Sequence, residues 1–308
     1  MATREIINSL CMIFIMILPG IIFKKKGLID ANQSKGISSV VVNLTWPCLV
    51  ISAMQVEFTQ QIFRSSLYIF VVVLLIFVFA FALGYLLVKA LKIKRSQGSI
   101  FAFMLVFANT GFIGIPVINA LYGKEAVFYA SIIEMVNDIM LFTVGIMLIQ
   151  FSVGAKAKIN LKGLLTPGII GVVLGYILFL CNFQLPGFLG KSVNIIGAAT
   201  TPLTMFIIGV QIGGLKLKEI LGDANIYIMS FMKLMIIPGI ALLVMHFVFK
   251  DTSLLSKVLI MSFAMPVAAC TTIFTEQYNG DVGFATKGVL LSTMLSIGTI
   301  SIFAMLLK

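Results

Sequence analysis

Ten apolar runs, each about 20 residues long, constrain this chain more than any other feature, because a run of that length spans a bilayer as a helix. They cover roughly residues 6 to 23, 36 to 55, 65 to 91, 98 to 121, 126 to 151, 163 to 181, 191 to 213, 224 to 248, 255 to 275 and 284 to 307. Little of the 308-residue chain is left over. The runs are continuously apolar and do not alternate, which argues against a membrane β-barrel. Only 11% of residues are charged, against roughly 25% in soluble domains, and the mean hydropathy is +1.13. The fold expected is an all-α integral membrane protein. The first run lacks a basic flank before it and an A-x-A-like site after it, so it reads as a span and not as a cleaved signal peptide.

A net charge of +11 suggests nucleic acid until its placement is considered. Lys24, Lys25, Lys26 and Lys35 follow the first run, Lys89, Lys92, Lys94 and Arg95 the third, Lys156, Lys158 and Lys162 the fifth, and Lys216 and Lys218 the seventh. Those thirteen share one side of the membrane. Arg4, Arg64, Lys124, Lys191, Lys250, Lys257 and Lys308 make seven on the other. Positive charge collects on the cytoplasmic side, so the odd-numbered loops are expected inside and both termini outside. The lipid bilayer is the partner implied, and no nucleic-acid signal remains. Cys11, Cys48, Cys181 and Cys270 stand singly within apolar runs and read as small packing residues; no metal site is indicated.

The two halves resemble each other. "NLTWP" ending at Pro47 and "NTGFIGIP" ending at Pro116 correspond to "AATTP" ending at Pro202 and "SFAMP" ending at Pro266. A tyrosine turn follows each second proline, at Tyr122 and at Tyr278. The expected domains are a five-helix unit over 1–155 and a second over 156–308. Five is odd, so the second unit enters the membrane from the opposite side. The result is an inverted repeat of the kind recurrent in secondary transporters, whose interrupted helices meet near the bilayer midplane.

Spans four and nine are the interrupted pair. Pro116 lacks an N–H, and Gly111 and Gly114 relax the backbone around Asn109 and Thr110, so helical bonding is expected to fail between about 109 and 116. A break there exposes a half-helix N-terminus suited to an anion. The matching break lies at Pro266 and Ala268, followed by Thr271 and Thr272. These nine residues are the candidate substrate site; the bland alternative is a proline kink that lets helices pack closely. Asn43, Thr45 and Pro47 in span two, with Thr200, Thr201 and Pro202 in span seven, either line the same cavity or satisfy carbonyls freed by their own prolines. In span five, Glu134 and Asp138 are four residues apart on one helix face beside Asn137. Glu134 lies on the order of 12 Å into the hydrocarbon. Intramembrane acids carry function by default, here as proton carriers, Na⁺ ligands or ion-pair partners of Lys233 in span eight. His246 has no second ligand in sight. HExxH, GxSxG and Walker A patterns are absent, so no enzyme chemistry is visible.

"NTGFIGIP", "MPVAACTTIFTEQYNGD", "TPLTMFIIGVQI" and "KLMIIP", taken in this order-preserving spread over nearly the whole chain, resemble the auxin efflux carrier family and its prokaryotic members. The resemblance implies ten spans, a scaffold of spans 1, 2, 6 and 7, a transport domain of spans 3 to 5 and 8 to 10, and breaks in spans four and nine that cross. It makes Asn109, Pro116 and Pro266 crossover residues. It implies cargo among organic anions, the auxin anion in plant members and malonate, malate and related acids in bacterial ones. The long hydrophilic loop frequent after span five in plant members is replaced by a short basic linker. The leading expectation is a permease for small carboxylates in a prokaryotic cytoplasmic membrane, without cofactor and coupled to H⁺ or Na⁺. A cation/proton antiporter of the same fold is the alternative. Lipid-facing and subunit-facing spans look alike in sequence, so a homodimer stays open.

Overall fold

The computed structural model describes residues 2–154, 165–214 and 223–307. The expected boundary at 155 to 156 lies outside the described residues, as do Lys156, Lys158, Lys162, Lys216 and Lys218. Twelve helices are present among the described residues: α1 (Ala2–Lys25), α2 (31–53), α3 (Gln60–Ala90), α4 (Arg95–Val106), α5 (Thr110–Tyr122), α6 (Lys124–Ser152), α7 (Pro167–Leu180), α8 (Gly187–Gly213), α9 (Ala224–Val248), α10 (Leu254–Phe263), α11 (Cys270–Gln277) and α12 (Val282–Leu306). Seven of them, α1, α2, α3, α6, α8, α9 and α12, are long and apolar enough to cross a membrane. The chain is an all-helical, multi-pass membrane protein.

Helix starts follow from short polar residues at the ends of the apolar runs. Asp30 Oδ1 accepts from the Gln33 amide at 2.7 Å, Thr166 Oγ1 from Ile169 at 3.1 Å and Asp281 Oδ1 from Phe284 at 2.9 Å. Each satisfies an amide that the first turn leaves without an intrahelical partner.

Helix interiors follow their prolines. Pro47, Pro116 and Pro238 each sit two residues beyond a π-helical turn, at Val41–Thr45, Thr110–Gly114 and Met232–Ile236. Proline offers no N–H to the carbonyl four residues back and its ring collides with it; widening the preceding turn relieves both problems and lets the helix continue. Pro116 is therefore helical. The interruption expected over 109 to 116 is instead confined to 107–109, between α4 and α5, and its counterpart between α10 and α11 runs over 264–269.

Packing places α1 along α8. The two backbones touch at Gly20 and Gly209: a Cβ on either would overlap a carbonyl of the other helix, Phe206 O or Ile17 O. Helix α2 packs on α7 and on the first part of α8, while α3 packs on α4 and α6, α6 on α10, and α9 and α11 on α12. Between α1, α5, α8 and α12 lies an apolar pocket lined by Ile13, Ile17, Val117 and Ile208 among others. Outward-facing side chains are apolar, with Val78 and Tyr85 of α3 and Phe247 of α9 each about two-thirds exposed, as a lipid-facing surface requires.

Candidate functional site

The two breaks meet. The Asn109 amide donates to Pro266 O at 2.8 Å and the Ala268 amide to Phe107 O at 3.1 Å, bracketing an antiparallel bridge between Ala108 and Val267. Backbone groups freed by interrupting two helices thus satisfy one another in the interior, where an unpaired amide would be costly. Ser292 of α12 closes the array by accepting from the Val267 amide at 3.2 Å. All residues from Phe101 to Ala108 and from Met261 to Ala268 are buried.

Four half-helix ends converge here, and their polarity is partly answered by side chains. The Lys233 ammonium group, wholly buried on the widened turn of α9, donates to Val106 O at 3.0 Å. It sits at the C-terminal, negative end of α4. Neither Glu134 nor Asp138 pairs with it, so the ion pair considered from sequence does not form among the described residues. At the opposite pole, the N-terminal end of α5, the Thr110 hydroxyl donates to Glu134 Oε2. The Gly111 backbone lies against the same carboxylate. A Cβ on Gly111 would lie 2.5 Å from Glu134 Oε1 and 3.2 Å from Trp46 Cζ2, so the carboxylate fills the space a side chain there would take.

Around this core the remaining candidates divide. Asn109 is half-buried, and its side-chain amide has no hydrogen-bond partner among the described residues. The same holds for Asn137, which is 4% exposed. The carboxylate of half-buried Asp138 also accepts no hydrogen bond there; one turn further along α6, Phe142 meets Phe274 of α11 edge-on at 5.7 Å. Thr271 spends its hydroxyl on Ala268 O at 2.6 Å, whereas Thr272 is half-buried. Gly114 donates its amide to Asn109 O at 3.0 Å.

The span-two and span-seven candidates lie further out. Asn43 is exposed and bonds Ser39, Thr45 turns back to Val41 O at 3.5 Å, and Pro47 packs against Gly171 of α7. Thr201 accepts from Asn119 of α5 at 3.4 Å, Pro202 is exposed, and the buried Thr200 hydroxyl has no partner among the described residues. One residue was missed: Trp46, 7% exposed, whose ring stands over Gly111 with its indole N–H unpaired among the described residues. Its signal was present as the only tryptophan of the chain, set between Thr45 and Pro47.

Broken helices joined back to back inside a multi-pass helical bundle define a membrane transport protein. The chain matches the family described as membrane transport protein over residues 5–160 and 151–304; it belongs to that family, the auxin efflux carriers. Among its relatives is an uncharacterized transporter of Methanocaldococcus jannaschii, 26% identical over 304 residues and covering 96% of both chains. Another is the uncharacterized transporter YfdV of Escherichia coli, 23% identical over 296 residues, covering 94% of this chain and 93% of that one. The mouse lysosomal cholesterol signaling protein is 22% identical over 330 residues, spanning all of this chain but 38% of its own length.

Proposed function

We propose that this transporter carries small organic anions, mono- or dicarboxylates such as malonate, malate or auxin-like acids, by an elevator-like alternating-access movement. The observation that carries the reading is the bridge at Ala108 and Val267 with the uncommitted side-chain amide of Asn109 beside it. An amide with free donors next to helix N-termini, in a water-poor interior, suits a carboxylate. Asn109 and Thr272 hold the anion, Pro116 and Pro266 shape the backbone, and Asp138 with Glu134 exchanges charge with a coupling H⁺ or Na⁺.

In this reading the chain is two inverted five-span units, and α1, α2, α7 and α8 form a scaffold past which the other helices slide. Two features support it: α1 lies along α8 and α2 along α7 and α8, and an apolar pocket lies where α1 and α8 meet α5 and α12. Both termini lie outside a prokaryotic cytoplasmic membrane. The acids of α6 favour a second reading, a cation/proton antiporter, since two carboxylates at membrane depth are also what a cation requires.

Uptake of labelled mono- and dicarboxylates into proteoliposomes, each under an imposed Na⁺ or pH gradient, tests both. Accumulation of a carboxylate supports the first reading. Collapse of a pH gradient on adding Na⁺ or K⁺ without any organic anion favours the second.

A further inference from the structure

The N-terminal end of α5 is the anion seat expected from sequence, yet the protein's own Glu134 carboxylate already sits in it. Oε2 accepts from the Thr110 hydroxyl, and Oε1 lies where a Cβ of residue 111 would be. A third donor stands beside the seat unused. Trp46 Cζ2 lies 3.2 Å from that same Cβ position, and the indole nitrogen is one ring atom removed from Cζ2, on the same edge. Its N–H is buried and has no partner among the described residues, which in an interior costs about as much as a lost hydrogen bond. Indole nitrogen donates only, so the group that would satisfy it is an acceptor, and next to a helix N-terminus a carboxylate oxygen fits.

We propose that Glu134 is an internal occupant of the carboxylate seat, displaced by the cargo's own carboxylate, and that the Trp46 N–H is a cargo-contacting donor satisfied only when cargo is bound. This rests on the carboxylate-transport reading and deepens it. Glu134 and a cargo carboxylate compete for the same helix end, so Glu134 sets a threshold that only an anion able to recruit the additional donor passes. A second consequence is that an empty seat is never bare, so the crossing keeps its helix end capped between cycles.

Trp46 is the only tryptophan, which makes its emission a direct probe. The full chain in lipid nanodiscs is titrated with malonate and with acetate, chloride serving as ionic-strength control, beside uptake in proteoliposomes. The carboxylate that is accumulated should change Trp46 emission saturably, and chloride should not. In Glu134→Gln the same carboxylate should bind about tenfold more tightly, the effect of weakening the internal competitor for that helix end. In Trp46→Phe, which keeps the ring packing, KM should rise about tenfold with kcat little changed, the signature of one lost charge-assisted hydrogen bond. A carboxylate that is accumulated without moving Trp46 emission, and with an unchanged KM in Trp46→Phe, overturns the inference and leaves the transport reading standing. Failure of the wild type to accumulate any carboxylate overturns the transport reading, and this inference with it.

Discussion

The Nζ of Lys233 stands 3.0 Å from the carbonyl oxygen of Val106, joining the middle of α9 to the last turn of α4 in a place no water reaches. The ammonium answers the negative end of one half-helix while Glu134 answers the positive end of the next. Replacing Lys233 by Met orphans that carbonyl but also removes a buried charge lacking a carboxylate partner, two effects of opposite sign. Lys233→Met should therefore fold, with a melting temperature in detergent close to wild type, and lose uptake by at least about tenfold, the scale of one displaced charge. Thermal unfolding and proteoliposome uptake of the same preparation check this.

Gly111 has no room for a side chain. A methyl group there would press on Glu134 Oε1 and on the Trp46 ring together, and overpacking of this kind costs about 1–3 kcal/mol. Gly111→Ala should lower the melting temperature and abolish uptake, whereas Gly123→Ala, where nothing crowds the position but φ is +79°, should lower the melting temperature and spare uptake.

Ala108 and Val267 face each other between the two flanking hydrogen bonds, the arrangement in which antiparallel partners have Cα atoms about 4.5 Å apart. That distance lies within disulfide range. The pair Ala108→Cys with Val267→Cys should crosslink on mild oxidation, read by a mobility shift that reductant reverses. Uptake should persist in the crosslinked protein if both breaks travel together as one body, and stop if transport requires them to part.

Asn109 is tested by truncation. Asn109→Ala should insert and elute as wild type does, yet lose carboxylate uptake, because its amide has nothing to hold in the empty protein. Wild-type rates in this variant would remove Asn109 from the site.

Asp138 differs from Glu134 in being half-buried, with a carboxylate that accepts no hydrogen bond among the described residues. Asp138→Asn should keep exchange of labelled for unlabelled carboxylate at equal concentrations while losing acceleration by an imposed pH gradient. Counterflow and gradient-driven uptake, measured side by side, separate the two outcomes.

Much of this architecture was legible in the chain. Apolar run length marked the helices, short polar residues such as Asp30, Thr166 and Asp281 marked their starts, and the paired proline motifs pointed to spans four and nine. The site was legible only in part. Pro116 looked like the break and proved to be helical, because a π turn absorbs its missing N–H, so the interruption falls at 107–109. Glu134, Asp138 and Lys233 stand out by depth, but their pairing is not readable, since ionisable groups at membrane depth suggest an ion pair unless backbone ends are there to compete for them.

Sequence by itself determined that the chain crosses a membrane and which two helices are interrupted, since hydropathy and proline are properties of single segments. Only the tertiary structure decided that Lys233 goes to Val106, that Glu134 occupies the helix end beside Gly111 and that Trp46 stands over it with a free N–H. Those are matters of which half-helix end lies nearest to which side chain, and residues 46, 111 and 134 share no periodicity that could bring them together before the helices pack.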